Sequence, residues 1–533
     1  MPTLQQHSPK PETPDAVLVQ AGPIDSNVPE DWFERFGTGP SIPPRFATIL
    51  AGFEHFAASQ PDAPAVEHAG SVISYGALDD AASRLAYQLG DLGVGHGDAV
   101  GLYLKRSIPM IVGILACMKR GAIYIPQHVG VVTDKVLRHI STVTEAKVVL
   151  TLAECADQVA MVDGQTLVVL EDALADTFAP RQITPSPLTP EDVCMILFTS
   201  GTTGVPNGVQ VTHKNLCNIL LTAPGDLGMR PGLRVGQILS IAFDMAAWET
   251  LGALSNGATL VIRGRDIQET ASKVDVLIAT PSILGSLDAE ACQQVKTAAV
   301  AGEPCPRPLA DKWASFCNFY NSCGPTETTI INTAMLHQPD KADLTIGKPT
   351  PNNTVYVLDE NLSPVPFGER GVMWAGGDCV TAGYLANPEL NAERYKPDPF
   401  RPGHMMFNTR DLGAWTETGE LLHFGRVDDL VKIRGFRVEL DGVSRALEST
   451  QNCDQAVTLK YDDRTLVAFV SPSEVCPVEA RANVETVLPY YCCPKIVLPM
   501  DVLPKTPRGK LDKRLLLSLA QEALTQRQPE AAE

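Results

Sequence analysis

The chain lacks the features of membrane proteins and of nucleic-acid-binding proteins. No segment of its 533 residues is apolar over the roughly 20 residues that a membrane-spanning helix needs. The N-terminus is polar, unlike a signal peptide. Basic residues are outnumbered, with 43 Lys and Arg against 62 Asp and Glu, which gives a formal net charge of -19. This charge argues against nucleic acid or an anionic membrane surface as the main partner, and a cytoplasmic location is expected.

The cysteines lack the spacing of a metal site or of a disulfide framework. There are 13 of them, an odd number scattered along the chain, with Cys492 and Cys493 adjacent. We therefore expect reduced thiols, in keeping with the cytoplasm.

Length and composition predict more than one domain. A chain of 533 residues is longer than a single hydrophobic core usually accommodates. Its hydrophobic content of 44% is ample to form two cores. Residues 1–44 are rich in proline and charge without periodicity, which predicts a flexible N-terminal extension, either a tail or a loosely docked arm. No internal repeat is present.

From residue 45 onward the pattern is that of an α/β protein. A helix is predicted over 76–92, a strand over 99–104 and a helix over 108–118. This alternation is typical of a doubly wound α/β layer structure.

The segment from Phe198 to Val209 suits a polyphosphate and is named the phosphate loop. It follows an apolar run, Val193 to Leu197, that predicts a buried strand. Its glycines let the backbone approach an anion, and its hydroxyls and amides can donate to phosphate oxygens. It has neither the Gly-Lys-Ser/Thr ending of a P-loop nor a dinucleotide fingerprint. An ordinary surface turn is the alternative. The predicted nucleotide-binding residues are Thr199, Ser200, Gly201, Thr202, Thr203 and Gly204.

The phosphate loop and its spacing to three later segments resemble the signature of the ANL superfamily, which comprises acyl-CoA synthetases, luciferases and nonribosomal peptide synthetase adenylation domains. The later segments are Asn321-Ser-Cys-Gly-Pro-Thr-Glu-Thr-Thr-Ile, Asn408-Thr-Arg-Asp-Leu-Gly with Gly425-Arg-Val-Asp-Asp, and Pro504-Lys-Thr-Pro-Arg-Gly-Lys-Leu-Asp-Lys-Arg. The resemblance runs from about Thr48 to Leu516. It implies a large N-terminal α/β core of several subdomains (45–427), a small mobile α+β C-terminal domain (428–520) and a tail (521–533).

The second motif supplies a carboxylate for a hard cation. Glu327 is expected to bind the Mg²⁺ that bridges ATP phosphates, and Thr326 to donate to the α-phosphate, because displacing pyrophosphate requires charge neutralisation on both fragments. Asn321, Ser322, Cys323 and Gly324 complete the predicted nucleotide site. The family usually has an adenine-stacking aromatic residue where this chain has Cys323. A turn preceding a helix with an acidic first turn is the alternative for this motif.

The third motif implies a ribose site. In the family, the residues matching Asp411 and Arg426 hold the ribose, the aspartate accepting from both hydroxyls. The family's basic residue followed by Thr-Gly is replaced by Asn408, Thr409 and Arg410. A solvated acidic turn is the alternative. Asp428 matches the family's hinge between the two domains.

The fourth motif places a lysine where the family has its catalytic lysine. Lys510 would stabilise the charge that develops between a carboxylate and the α-phosphate. A solvated basic surface is the alternative. The loop with Lys432, Arg434 and Gly435 would line the thiol channel after the small domain rotates.

Asp244 is the main indication of the acid that is activated. It matches the aspartate that pairs with the α-ammonium of the substrate in amino-acid-activating members; a helix N-cap is the alternative, and both roles are compatible. The pocket positions carried over from the family are otherwise largely apolar: Asp244, Met245, Trp248, Ile278, Ala299, Ala301, Ser322, Ile330, Ile331 and Lys510. A hydrophobic amino acid is predicted, aromatic in preference to branched aliphatic.

The predicted reaction is ATP- and Mg²⁺-dependent formation of an aminoacyl-AMP with release of pyrophosphate, then transfer to the phosphopantetheine thiol of a carrier protein. No Leu-Gly-Gly-x-Ser carrier motif follows Lys510, so the carrier acts in trans or the chain is excised from a larger one. Two departures, Asn207 in place of a lysine and Cys323, leave a degenerate noncatalytic ATP- or amino-acid-binding module open. A carboxylic acid-CoA ligase is the other alternative.

Overall fold

The structure is a computed structural model that describes residues 31–175, 187–199, 206–427, 430–504 and 511–526. Its large N-terminal part contains two mostly parallel sheets. The first has six strands, in the order Thr166–Val169, Val148–Thr151, Ala99–Leu104, Ile123–His128, Val193–Thr199 and Asn207–Thr212. Only the last pairing is antiparallel.

The second sheet has nine strands, of which the six central ones are parallel. Their order is Lys348–Pro349, Thr333–Leu336, Asn318–Cys323, Thr297–Val300, Val276–Ala279, Arg234–Gln237, Thr259–Ile262, Pro64–His68 and Ser71–Ser74. Antiparallel strands close both ends. Buried side chains of both sheets and their helices form one continuous core. The helices of this part are Ile49–Ser59, Tyr75–Asp91, Ile108–Arg120, Asp134–Val143, Leu170–Ala175, His213–Leu220, Asp244–Ser255, Ile267–Ala271, Pro281–Gly285, Arg307–Ala314 and Pro388–Arg394.

Local sequence explains where these helices begin and end. The side chain of Ser107 accepts from the amide of Met110, and proline in the first turn fits because it needs no amide partner there. The same helix ends at Gly121, whose φ of 69° is left-handed and favours glycine. The predicted strand 99–104 is confirmed, and the predicted helices 76–92 and 108–118 are observed as Tyr75–Asp91 and Ile108–Arg120.

An antiparallel sheet completes the large part. It contains Asn353–Leu358, Gly371–Gly377, Met405–Trp415, Tyr395–Pro397 and Leu421–Arg426. Residues 31–44 pack on this sheet, so this stretch is a docked arm rather than a flexible tail. Trp32 is buried against Tyr356 and Phe400, and the amide of Gly39 donates to the carbonyl of Asn353. Aromatic burial therefore holds a segment whose proline content suggested disorder.

The small C-terminal part is α+β and has its own core clusters. Its strands are the hairpin Leu430–Ile433 and Phe436–Glu439, named the small-domain hairpin, and the sheet Gln455–Asp462, Thr465–Ser471 and Ile496–Pro499. Its helices are Leu440–Glu448, Pro477–Val487 and Lys513–Gln526. The last helix extends through residues 521–526 of the predicted tail, which is therefore helical in that stretch.

None of the helices in the described parts of the chain has the length and hydrophobicity to span a bilayer. All 13 cysteines are free thiols, as the sequence predicts.

Candidate active site

The candidate site lies where the carboxyl ends of parallel strands meet, the usual position of ligand sites in α/β sheets. Thr199 ends a strand of the six-stranded sheet, and Asn321, Ser322 and Cys323 end a strand of the nine-stranded sheet. Residues 200–205, which include five predicted phosphate-loop residues, lie outside the described residues. Asn207 begins the strand after the loop, and its side-chain oxygen accepts from the amide of Asn387 at 3.1 Å.

The predicted metal ligand Glu327 lies in a short 3-10 turn, Thr326–Thr328, named the acidic turn. Its side chain is fully buried, and its Oε1 accepts from the hydroxyl of Tyr384 at 2.7 Å. After the acidic turn the backbone is left-handed at Thr329 and Ile330, with φ of 53° and 72°. A β-branched residue at such a φ is strained, and strain of this kind is concentrated at functional sites.

Gly324 explains how the acidic turn is packed. A β-carbon at this position would lie 2.6 Å from the Cα of Ile331, so only glycine permits the close approach. Asn321 is buried and donates to the carbonyl of Thr345 at 2.7 Å, which fixes the end of its strand. The hydroxyl of Ser322 is buried without a hydrogen-bond partner among the described residues.

The predicted ribose residues pair directly across two strands. Asp411 is opposite Arg426, and the guanidinium donates to its Oδ1 at 2.9 Å. The register shifts between Asp411 and Gly413, a bulge of the kind that re-aims side chains beside active sites. Burial alone would raise the pKa of Asp411, but His423 and the charge of Arg426 outweigh it and hold that pKa below its usual range.

His423 is a site residue that the sequence did not indicate. Its Nε2 lies 3.6 Å from Asp411 Oδ1. The side chains of His423, Asp411 and Cys323 each have an atom capable of binding a metal, and these atoms lie within 4.8 Å of one another. The amide of Gly425 donates to His423 Nδ1, so the neutral ring carries its proton on Nε2, facing Asp411. The ring is therefore arranged as a donor to the carboxylate rather than as a metal ligand.

Asp244 is the first residue of the helix Asp244–Ser255, named the pocket helix. The N-cap is Phe243, and no side-chain cap bond forms, so the N-cap alternative for Asp244 is wrong. The carboxylate instead accepts from the amide of Met245 at 2.7 Å. Glu249 of the same helix fixes the preceding segment by accepting from the amides of Ile238 and Leu239.

The surroundings of Asp244 are largely apolar, but a charged residue and a hydroxyl residue approach it from two other elements. Burial raises the pKa of Asp244, although the charge of Lys432 and the side chain of Thr326 act to lower it. The other predicted pocket residues are buried and come from the pocket helix, three adjacent strands and the left-handed turn: Met245, Trp248, Ile278, Ala299, Ala301, Ser322, Ile330 and Ile331. The indole of Trp248 donates to the carbonyl of Gly225 at 2.6 Å, which satisfies its only polar atom.

The small-domain hairpin faces this pocket. Gly435 has a φ of 84°, and a β-carbon there would lie 3.0 Å from Thr280 and 3.7 Å from Glu303. The amine of Lys432 approaches Gly302, and Phe436 packs edge-on against Phe243. Arg434 is exposed at the hairpin turn. The predicted hinge Asp428 and the predicted catalytic Lys510 lie outside the described residues.

Comparison with known proteins identifies the family. Residues 53–385 match the AMP-binding enzyme family. The chain belongs to this family. It is an adenylate-forming enzyme of the ANL superfamily and a homologue of nonribosomal peptide synthetase adenylation domains, which confirms the predicted resemblance and fold.

Individual relatives differ in the activity that their names state. The chain is 45% identical to adenylate-forming reductase 03009 of Coprinopsis cinerea over 92% of its own length, and 32% identical to tyrocidine synthase 2 of Brevibacillus parabrevis over 89%. It spans 48% of the reductase and 14% of the synthase. Among solved structures, NpsA-ThdA, an artificially fused adenylation-PCP di-domain from Klebsiella oxytoca, aligns with a TM-score of 0.76 at 22% identity over 90% of this chain and 97% of that one.

Proposed function

We propose that the chain activates a hydrophobic, preferably aromatic, amino acid as its aminoacyl-AMP and transfers the acyl group to the phosphopantetheine thiol of a carrier protein. The observation that carries the proposal is the carboxylate of Asp244 at the edge of an otherwise apolar pocket. A carboxylate in such surroundings is costly unless positive charge meets it. Lys432 of the small-domain hairpin supplies one such charge, and the α-ammonium of an amino acid would supply a second.

The nucleotide residues support the ATP half of the proposal. Adenylate-forming enzymes use ATP, and the phosphate loop would hold its phosphates. The buried carboxylate of Glu327 offers the oxygen ligand that Mg²⁺ prefers, so the acidic turn fits this ion, which would neutralise phosphate charge when bound. Asp411, kept ionised beside Arg426, would accept from the ribose hydroxyls.

The substrate residues support the acyl half. Thr326 lies close enough to Asp244 to influence its pKa, so the α-phosphate donor and the ammonium acceptor are neighbours. This arrangement would hold the substrate carboxylate near the α-phosphate, and positioning of two reactants is itself a large part of catalysis. Lys510 would stabilise the charge that develops between them.

The acceptor follows from the small-domain hairpin and from the relatives. Gly435 lies against Thr280 beside the pocket, where a thiol would have to enter. The structural relative NpsA-ThdA combines an adenylation domain with a PCP, which supports a carrier protein as the partner.

The 45% identity to two adenylate-forming reductases favours a second candidate function. In this case the adenylation and transfer steps are the same, but a hydride donor then reduces the carrier-bound thioester to an aldehyde and releases the carrier thiol. Product analysis of the whole protein separates the two candidates, since reduction yields an aldehyde or an alcohol instead of a peptide.

The experiment that tests the proposed substrate class is ATP-pyrophosphate exchange over twenty amino acids, their deaminated counterparts and aryl acids. We expect exchange to be strongest with an aromatic or large aliphatic amino acid and weaker by about a hundredfold or more with the matched acid lacking the amine. Preference for acids without an amine would favour a ligase for another acid class. Absence of exchange with every acid would favour a noncatalytic module.

A further inference from the structure

Tyr384 occupies a position that the family resemblance did not single out. It lies in the segment Thr381 to Leu385, named the tyrosine segment, more than fifty residues after the acidic turn in the sequence. The side chain is 3% exposed, and its hydroxyl donates to Glu327 Oε1 at 2.7 Å. A short bond to a carboxylate is a strong one, and a buried carboxylate needs such a partner.

The tyrosine segment is fixed from two sides. Its backbone pairs with the strand Asn207–Thr212 that follows the phosphate loop: Ala382 donates to Gln210, Gln210 to Gly383, and Leu385 to Gly208. The amide of Thr381 donates to the carbonyl of Glu327 at 3.1 Å. The segment therefore connects the strand beyond the phosphate loop with the acidic turn.

The tyrosine itself has little freedom. Asn391 holds its backbone at both ends, accepting from the Tyr384 amide at 2.7 Å and donating to its carbonyl at 2.9 Å. The ring packs edge-on against Tyr395, with centroids 5.8 Å apart. These contacts fix the backbone and ring of Tyr384, so its hydroxyl is held against one oxygen of the Glu327 carboxylate.

We infer that Tyr384 is a positioning residue for the divalent cation: its hydroxyl fixes the Glu327 carboxylate relative to the strand Asn207–Thr212, so that the carboxylate is oriented to bind the metal before ATP arrives. The inference rests on the proposed role of Glu327 in the function above. Because the hydroxyl engages Oε1, the orientation of the carboxylate no longer depends on the ligand, and a metal ligand fixed in this way binds more tightly.

The test measures cation binding directly. Mn²⁺ is titrated into the protein with the unreactive analogue α,β-methylene-ATP, and free Mn²⁺ is followed by electron paramagnetic resonance. Tyr384→Phe removes one oxygen atom and keeps the ring, and we expect it to weaken Mn²⁺ binding by about tenfold. Tyr395→Phe is the matched control, since it removes a hydroxyl that bonds Thr381 in the same segment, and it should leave Mn²⁺ binding unchanged. Thermal melting checks that both variants fold.

A double-mutant cycle shows whether the effect passes through the carboxylate. In a Glu327→Ala background, Tyr384→Phe should have almost no further effect on Mn²⁺ binding. Unchanged binding in Tyr384→Phe, an equal loss in Tyr395→Phe, or an undiminished effect in the Glu327→Ala background would each overturn the inference. Exchange activity is measured separately, so a wild-type protein that binds Mn²⁺ as expected but catalyses no exchange would refute the proposed function and leave this inference intact.

Discussion

At the scale of single residues, Asp244 is a carboxylate in mostly apolar surroundings. Burial raises its pKa, while the charge of Lys432 and the side chain of Thr326 act to lower it. The carboxylate also accepts from the neighbouring amide of Met245. In the proposed complex the α-ammonium of an amino acid adds a further positive charge beside this carboxylate.

The raised pKa of Asp244 predicts a pH dependence that is specific to amino acids. The ionised carboxylate is needed to bind an ammonium, so as pH falls through the raised pKa the carboxylate is protonated and that interaction is lost. We expect kcat/KM for the amino acid to decline at a pH above the range in which an ordinary aspartate titrates, while kcat/KM for the deaminated acid does not decline there. Parallel pH profiles for both substrates would contradict this role of Asp244.

Asn207 stands where the resemblance places a lysine in the family. Its uncharged side chain accepts a hydrogen bond from the side-chain amide of Asn387. Asn207→Lys restores a cation beside the phosphate loop, and we expect the KM for ATP to fall by up to about tenfold. Asn207→Met, similar in length and uncharged, is the control and should not lower KM. Equal KM values in the lysine variant and the wild type would mean that another group already neutralises the phosphates.

Residues in local motifs were predictable from the sequence, and residues that meet only through the fold were not. The hydroxyls and glycines of the phosphate loop, and the Thr-Glu pair of the acidic turn, are recognisable because their chemistry is concentrated in a few positions. Tyr384 and His423 lie in separate strands or segments with no local pattern around them. Their contacts with Glu327 and Asp411 become apparent only once the sheets are assembled.

At the scale of elements, the pattern predicted strands and helices well and helix ends less well. The alternation of apolar strands and amphipathic helices gave the α/β class because burial enforces those periods. The cap of the pocket helix was misassigned: aspartate is a good N-cap in general, yet here Phe243 is the extended residue and Asp244 already has helical geometry. Sequence alone does not fix which of two neighbouring residues leaves the helical conformation.

The small-domain hairpin gives a prediction that separates the two half-reactions. Gly435→Ala adds a β-carbon 3.0 Å from the Thr280 side chain at a φ of 84°, so the hairpin or Thr280 must shift by a few tenths of an ångström and the backbone at the hairpin turn is strained. We expect transfer to a carrier thiol to fall about tenfold or more while pyrophosphate exchange changes less than about threefold, because the hairpin is proposed to serve only the thiol step.

The matched control for this variant is Gly403→Ala. Gly403 has the same φ of 84°, but a β-carbon there has no atom within 4 Å. It therefore reproduces the backbone strain without the contact. An equal effect of both substitutions on transfer would show that general destabilisation, rather than the hairpin contact, is responsible.

At the scale of the whole molecule, the large part and the small part have separate cores. The proposed substrate pocket lies in the large part, and the hairpin proposed to line the thiol channel lies in the small part. The small-domain hairpin belongs to the small part, and Lys510 falls within the predicted small domain, 428–520, but outside the described residues. For residues 31–44 the sequence left a tail and a docked arm open, because aromatic burial against distant strands has no signature in a proline-rich segment.

We predict that Lys510→Ala impairs pyrophosphate exchange, the half-reaction that Gly435→Ala should spare. Lys510→Ala should lower pyrophosphate exchange by about a hundredfold or more while ATP and amino-acid binding stay within several-fold, since the lysine is proposed to act on charge formed in the transition state. Lys510→Arg keeps the charge with a different shape and should retain part of the rate. Near-normal exchange in Lys510→Ala would remove this lysine from the mechanism.

The most direct test of the central claim, that this enzyme selects an amino acid through Asp244, is the substrate preference of Asp244→Ala. Pyrophosphate exchange is measured with the best amino acid and with its deaminated counterpart, such as phenylpropionate for phenylalanine. Loss of the carboxylate leaves the substrate ammonium unpaired, at a cost of about 3 to 5 kcal/mol, and should spare or improve use of the acid without the amine. The account therefore predicts that the preference inverts. Equal losses on both substrates would mean that Asp244 only supports the pocket helix, and selection of amino acids by this residue would be refuted.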